Sequence, residues 1–423
     1  MLEIARLRND REAVAEGLAK RGLDMTDVDR ALALDDRRKA EQLEMDQLQA
    51  EANALSKQIG ALMKSGDRAG GEAMKGKVAD TKAKLGPLQD AHAKTKEELE
   101  SVLLKIPNVP HASVPYGKSA EDNEVYKAGP DELPVLPKGA KPHWELGEQY
   151  RLFDMQLGVK LTGAGFPVYI GQGARLQRAL IAYFLDRATD AGYLEYLPPH
   201  LVNADSARGT GALPDKEGQM YHATVDDLYL IPTAEVPVTN VYRGSIVDEA
   251  ELPIKMCAYT PCFRREAGSY GKEVRGLNRV HQFDKVEIVR IERPEDSYAA
   301  LDDMLTHVSG LLEELGLPYR ILKLCGGDAT FTSALTYDFE VWSAAQQLWL
   351  EVSSVSNFET FQSNRLNLRL RDGKQKRLAH TLNGSALALA RIVAAILENN
   401  QTEKGITVPK VLVPYMNGRE VID

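Results

Sequence analysis

A chain of 423 residues with 43% hydrophobic content exceeds one ordinary core, so two domains are expected, and its net charge of −9 excludes a protein that coats nucleic acid over its whole surface. No run approaches the ~18 apolar residues of a bilayer-spanning helix, and the first residues lack the apolar core of a signal peptide, which makes the cytoplasm the expected compartment. Three cysteines, Cys257, Cys262 and Cys325, offer no disulfide framework and, lacking a second close pair or a Cys/His cluster, argue against zinc.

Residues 1–115 contain no Phe, Tyr or Trp, and the first aromatic is Tyr116. That break in composition marks a domain boundary. Residues 27–106 are rich in Ala, Leu, Lys, Glu and Gln, the profile of long helices. Met45, Leu48, Ala52, Leu55, Ile59 and Leu62 recur at alternating spacings of three and four, and Met74, Val78, Thr81, Leu85, Leu88, His92, Thr95, Leu99, Val102 and Ile106 repeat the pattern. A turn over residues 65–71 (SGDRAGG) should fold the two helices back as an antiparallel coiled-coil arm on the order of 55 Å long. Gly86-Pro87 should kink the second helix, and His92 reads as a polar residue that sets the register of the seam. Residues 57–84 carry seven Lys/Arg (Lys57, Lys64, Arg68, Lys75, Lys77, Lys82 and Lys84) against three Asp/Glu, a local positive surplus on an acidic protein. Such a run is ordinarily a solvated face, yet at the end of a two-helix arm it suits an RNA backbone read by shape.

Residues 107–142 are rich in Pro, Gly and charge and read as a linker. Gly117-Lys118-Ser119 ends like a phosphate-binding P-loop, but Ala112 stands where that motif needs its first glycine and no helix is predicted to follow. No GxGxxG opens a helix either, which weighs against a parallel-sheet nucleotide fold. Residues 173–192 form an amphipathic helix with Leu176, Leu180, Tyr183 and Phe184 inward. The Pro-bearing stretch 193–202 fits a subunit contact or an edge strand equally well. GTGALP at 209–214 reads as a mobile loop, and Val236-Pro237 as a helix start after the polar insertion Thr233-Ala234-Glu235.

Residues 256–263 and those from Val280 onward read as two antiparallel strands joined by a basic loop with Gly268, Gly271, Lys272, Arg275, Gly276 and Arg279. Strand alternation puts His281, Phe283, Lys285, Glu287 and Val289 on one face and Gln282, Asp284, Val286 and Ile288 on the other. An arginine facing an aromatic ring and a carboxylate offers grips for a phosphate, a flat base and an amine; a surface hairpin laced with ion pairs is the plainer alternative. In the strand 348–358, Glu351, Ser353 and Ser354 interrupt an apolar run and need partners, either an internal hydrogen-bond network or Mg²⁺ carrying phosphate oxygens. Arg391 is the only charged residue of the predicted helix 386–397, and an anion there would offset its burial.

FRRE at 263–266, the basic loop, VHQFDKVE at 280–287, EVSS at 351–354 and LNGSALALAR at 382–391 together resemble the class II aminoacyl-tRNA synthetases, and within them the bacterial-type seryl-tRNA synthetases. The resemblance covers essentially the whole chain. It implies an α+β fold: residues 1–110 a tRNA-binding domain with the helical arm, 111–142 a linker, and 143–423 a catalytic domain with an antiparallel sheet of six or seven strands flanked by helices. It implies a homodimer to which the Pro199 segment contributes, and no membrane. By the same resemblance Arg264 contacts the α-phosphate and the serine carboxylate, Glu266 the adenine amino group, and Phe283 stacks on adenine. Arg391 meets the γ-phosphate, Glu351 and Ser354 bind Mg²⁺, and Arg265, Val280, His281, Gln282, Val352 and Ser353 complete the ATP site. Thr233, Ala234, Glu235, Glu287, Asn383 and Ser385 form the serine pocket with Arg264. The chain departs from the family at Ala386 and Ala390, where glycines are usual, and at Cys325-Gly326-Gly327-Asp328, where CTGD is usual; the Ala386 methyl would crowd ATP slightly.

The implied reaction is attack of the serine carboxylate on the α-phosphorus of ATP, giving seryl-adenylate and pyrophosphate, then transfer to the 3′ end of serine tRNA and also selenocysteine tRNA. Two rivals stand beside it: a ligase loading a small amino acid on a carrier protein, and a coiled-coil interaction protein whose globular part is inactive.

Overall fold

The computed structural model describes residues 1–215, 217–266 and 275–423, so Gly268, Gly271 and Lys272 of the basic loop lie outside the described residues. The chain divides into two compact units, one comprising Met1–Ala19 and Leu23–Pro107, the other Lys20–Gly22 and Asn108–Asp423.

The first unit is helical: α1 (Ile4–Asn9), α2 (Arg11–Lys20), α3 (Thr26–Ser65) and α4 (Arg68–Leu103). Ala52, Thr81, Thr95, Leu99 and Val102 are buried and their heptad neighbours half-buried, so the seam lies where the periodicity placed it. Thr95 Oγ1 donates across the hairpin to Glu41 at 3.1 Å, and His92 sits 3.9 Å from the same carboxylate. The turn is tighter than residues 65–71. Gly66 at φ +86 closes α3, and the Asp67 side chain accepts from Gly70 N–H at 2.9 Å, so Gly70 and Gly71 are already helical. The helix assignment runs unbroken through Pro87, where a kink was expected. Near the base, buried Asp35 gathers Arg8, Arg38 and Lys39 within 3.0 Å.

The second unit is built on an eight-stranded sheet: β1 (Glu124–Lys127), β2 (Leu194–Tyr196), β3 (Ile254–Phe263), β4 (Gln282–Glu292), β5 (Tyr319–Lys323), β6 (Leu335–Ser343), β7 (Leu348–Asn357) and β8 (His380–Ala388). Its order is β1-β5-β6-β7-β8-β4-β3-β2. Every pairing is antiparallel except the edge pair β2·β3, which is parallel, so the sheet exceeds the expected six or seven strands by edge additions. Helices α5 (His143–Gln149), α6 (Gly171–Asp190), α7 (Ala204–Thr210), α8 (Glu235–Asn240), α9 (Ser297–Leu315), α10 (Thr360–Leu366) and α11 (Leu389–Asn399) surround it. Val286 and Ile288 share the main core with apolar residues of α6, α9 and α11, while Val289 and Ile291 of the same strand share a second core with Ala234 and Val238. The sheet is thus covered on both sides.

Residues 108–127, the first part of the stretch read as a linker, are tied down by hydrogen bonds. Asn108 is fully buried and donates to the carbonyls of Thr332 and Phe358, β1 pairs with β5, and Arg21 donates to the carbonyls of Asn108, Ala329, Thr330 and Ser333. Sequence reading saw the Pro/Gly content but not these paired backbone groups. The P-loop look-alike is structural: Gly117 O accepts from Gly327 N–H, and only a 3₁₀ turn, Ala120–Asp122, follows. Residues 209–214 are likewise held rather than loose: Gly209 and Thr210 end α7, and Arg365 donates to Leu213 O. The stretch 193–202 contains the edge strand β2, with Leu194 and Leu197 63% and 83% exposed. The predicted helix at 386–397 starts three residues late, because β8 runs to Ala388.

Candidate active site

The hairpin β3·β4 pairs Phe283 with Cys262 and Glu287 with Ala258, and alternation along β4 turns Phe283, Lys285 and Glu287 to one face. Glu287 is 2% exposed, and its Oε2 receives the Lys285 ammonium at 2.6 Å and the Thr233 hydroxyl at 3.1 Å. Thr233 lies just before α8 and accepts from Glu235 N–H, so the helix start is anchored to mid-sheet. Glu235 Oε1 accepts from Gln362 at 2.6 Å. Burial, then the nearby Glu287 charge, pushes the Glu235 carboxyl up to about 7, while the amides of Gln362 and Asn383 and the charge of Lys285 oppose the rise. Ser385 stands directly opposite Glu287 on β8, and Asn383 two residues away shares its face. These groups form a buried polar cluster, called the recess below, with the Glu287 carboxylate paired to an ammonium and the Glu235 carboxyl raised toward neutrality.

Beside the recess the Arg264 guanidinium lies 5.3 Å from the centre of the Phe283 ring and donates to Pro232 O. Glu266 pairs with Arg279 at 2.9 Å. Arg391, in the first turn of α11, donates to Asn278 O at 2.8 Å and Glu351 O at 2.7 Å. Burial lowers the Arg391 guanidinium from its ordinary value; the Glu351 charge opposes the shift, and repulsion from Arg279 and Arg264 adds to it, so three arginines share one region with the carboxylates of Glu351 and Glu266. That region suits a polyphosphate.

Glu351 and Ser354 are three apart on a strand, a spacing that ordinarily sets side chains on opposite faces. The β6·β7 register skips between Phe339↔Ser353 and Glu340↔Glu351, so Val352 is the extra residue of a bulge, and Ser354 Oγ comes 3.5 Å from Glu351 Oε1. Asp338, opposite Ser354 on β6, has a buried Oδ1 without a hydrogen-bond partner among the described residues. Burial and the Glu351 charge raise its carboxyl well above the usual range. Sequence reading missed Asp338, because only strand register brings it here. It also left out Lys285, for which the K-x-E spacing on one strand face was a usable signal.

The side chains of several further residues carried over by resemblance have surroundings of their own. Val280 and Val352 are core residues, and the Gln282 side chain is exposed on the face opposite Phe283, as alternation requires. Ala234 is wholly buried under α8. The Ser353 hydroxyl is spent on Ser385 O at 2.6 Å. His281 stacks on Phe166 and bonds Tyr221, and Arg265 is exposed with its backbone N–H on Gln219 O. Ala386 is fully buried in the main core, on the strand rather than on the helix start where its methyl was expected to crowd ATP.

Residues 1–110 match the family description "Seryl-tRNA synthetase N-terminal domain", and residues 220–400 match "tRNA synthetase class II core domain (G, H, P, S and T)". A serine–tRNA ligase of Salinibacter ruber is 50% identical over 419 residues, covering 98% of each chain. The chain belongs to the seryl-tRNA synthetase family. Seryl-tRNA synthetase from Pyrococcus horikoshii, solved with ATP, superposes with a TM-score of 0.92 at 33% identity, covering 100% of this chain and 99% of that one. The cytoplasmic serine–tRNA ligase of Naegleria fowleri, solved with AMP, gives 0.87 at 27% identity, again covering 100% and 99%. As a seryl-tRNA synthetase the chain is an AMP-forming ligase, and the carrier-loading and inactive-scaffold rivals fall away. No helix among the described residues is long and apolar enough to cross a membrane.

Proposed function

We propose that this synthetase binds serine in the recess of Thr233, Glu235, Glu287, Asn383 and Ser385, and ATP along Arg264, Glu266, Phe283 and Arg391. The observation that supports the reading is the cluster of Thr233 with Lys285 and Glu287, the latter two on the same strand face as Phe283: buried polar groups suited to a hydroxylated amino acid, near an aromatic ring suited to a base. Serine arrives as a carboxylate already ionised at neutral pH, so no general base is needed for attack on the α-phosphorus. Arg264 holds that carboxylate against the α-phosphate, and positioning plus charge complementarity supplies the acceleration. Buried groups left unpaired by alanine reject it by up to ~10⁴-fold.

Glu351 and Ser354, hard oxygen donors 3.5 Å apart, fit a Mg²⁺ that keeps waters and phosphate oxygens in its shell. When bound, the ion neutralises phosphate charge as it develops. The exposed lysines of the arm bind serine tRNA, and selenocysteine tRNA with it, through phosphate contacts, in the cytoplasm. A homodimer forms through the exposed β2 edge around Pro199. Amino-acid-dependent ATP–pyrophosphate exchange across serine, threonine, alanine and glycine tests the reading: serine alone should support rapid exchange, and comparable exchange with alanine would overturn the pocket.

A further inference from the structure

Arg391 does not reach the nucleotide site unaided. The helix that carries it, α11, also carries Glu398 seven residues on, two turns or about 10 Å along the axis. Glu398 is fully buried, and its carboxylate is saturated: Oε1 accepts from His143 N–H at 3.0 Å, from His143 Nδ1 at 2.7 Å and from Gln346 Nε2 at 3.0 Å, while Oε2 accepts from Ala345 N–H and the Ser343 hydroxyl. Burial alone would raise this carboxyl, and the bonds from His143 and Ser343 outweigh it and hold it below the usual range.

The other side of the imidazole faces the tail of the basic loop. His143 is 0% exposed, and its Nε2 accepts from Leu277 N–H at 2.9 Å, which places the ring proton on Nδ1, toward Glu398. Gly276, at φ +64, lies so close that a Cβ there would come 2.3 Å from Nε2. The neighbouring Trp144 ring receives the Arg275 guanidinium at 4.6 Å. Asn278 Nδ2 donates to Gln346 Oε1 at 2.7 Å, and Gln346 in turn is bonded to Glu398. The carbonyl of Asn278 then accepts from Arg391 Nε. Glu398, His143, residues 276–278 and Arg391 therefore form a closed ring of contacts that begins and ends on α11.

We propose that His143 and Glu398 are positioning residues for ATP: the buried pair seats residues 275–278 and, through the Asn278 carbonyl, fixes the Arg391 guanidinium at the nucleotide site. The inference rests on the assignment of Arg391 to ATP. Neither residue touches the serine recess, whose groups come from β4, β8 and the start of α8.

The test is ATP–pyrophosphate exchange by full-length variants, with KM measured separately for each substrate. His143→Ala removes both links and should raise the KM for ATP about tenfold, a loss on the scale of one or two hydrogen bonds, with the KM for serine within about twofold. His143→Gln keeps an acceptor near the Nε2 position and should recover most of the loss. Gly276→Ala drives a Cβ against the imidazole from the loop side while leaving both members of the buried pair in the chain; it should lower the thermal midpoint somewhat, because its φ is +64, and raise the KM for ATP with the KM for serine within about twofold, even if His143→Ala folds poorly. Equal rises in both KM values, no rise, or a Gln variant no better than Ala would overturn the positioning role. Arg391→Ala separates the two levels: an unchanged KM for ATP in that variant would overturn the nucleotide assignment itself, and the positioning role with it.

Discussion

Lys285 and Glu287 lie two residues apart on β4, both almost fully buried, with Nζ 2.6 Å from Oε2. A buried pair of this kind is weak evidence for stability, because desolvation offsets most of its attraction, but removing one partner strands the other. Glu287→Ala should therefore abolish serine-dependent pyrophosphate exchange and also destabilise the second unit by about 3–5 kcal/mol. Glu287→Gln separates the effects: it should keep most of the thermal midpoint and still raise the KM for serine. Unchanged exchange in both variants would move the pocket elsewhere.

Glu235 predicts a proton. With its carboxyl pushed up to about 7 by burial and by Glu287, it is largely protonated in the free enzyme at pH 6. The ammonium of an entering serine favours the ionised form, so binding should release a proton, read as an enthalpy that varies with the ionisation heat of the buffer. Glu235→Gln should remove that dependence. The sign for stability is opposite to that of a salt-bridged acid. A carboxyl that holds its proton more tightly when folded lets the native state bind more protons between about 4.5 and 7, so its contribution weakens stability as pH rises through that window. The Gln variant should flatten this slope in pH-dependent melts.

Phe283 and Arg264 form an aromatic–guanidinium contact where a base should stack. Phe283→Ala should lower ATP affinity by roughly 5- to 100-fold, the range for losing one stacked base, with Phe283→Tyr near wild type. Equilibrium binding of ATP by calorimetry checks it. Equal affinity for the Ala variant would remove the ring from the adenine site.

The arm should be dispensable for the first half-reaction. Lys57, Lys64, Arg68, Lys75, Lys77, Lys82 and Lys84 are all exposed in the first unit, and among the described residues only Lys75 of this set is ion-paired, with Glu72. Deleting residues 57–84 should leave pyrophosphate exchange within about twofold and cut tRNA charging by orders of magnitude. Replacing three of the lysines with Gln should lower the slope of log affinity for tRNA against log salt by about two to three. Equal loss of both half-reactions would detach the arm from tRNA.

The heptad seam, the β3·β4 hairpin and the grouping of Phe283, Lys285 and Glu287 on one face were all legible along the chain. Each depends on the period of a regular element, and a period of 3.6 or 2 is written in consecutive residues. Legibility failed where the element departs from its period. Glu351 and Ser354 share a face only because Val352 bulges, and the skip between Lys285↔Ala388 and Glu287↔Ser385 carries β8 past the expected helix start. Residues 107–142 looked like a linker because Pro and Gly mark irregular backbone, but the irregular backbone of residues 108–123 is hydrogen-bonded into the second unit.

By itself, the sequence determined the class of chemistry: an arginine, an aromatic ring and carboxylates at set spacings on a hairpin, with a basic helical arm ahead of them. It could do so because side-chain identity and local periodicity need no knowledge of the rest of the fold. Tertiary structure alone decided which charges meet. Asp338 reaches Ser354, and His143 reaches Leu277 and Glu398, across separations of 16 to more than 200 residues, set by strand register and helix packing. Those contacts depend on how distant apolar faces bury one another, and that is a property of the whole core rather than of any stretch within it.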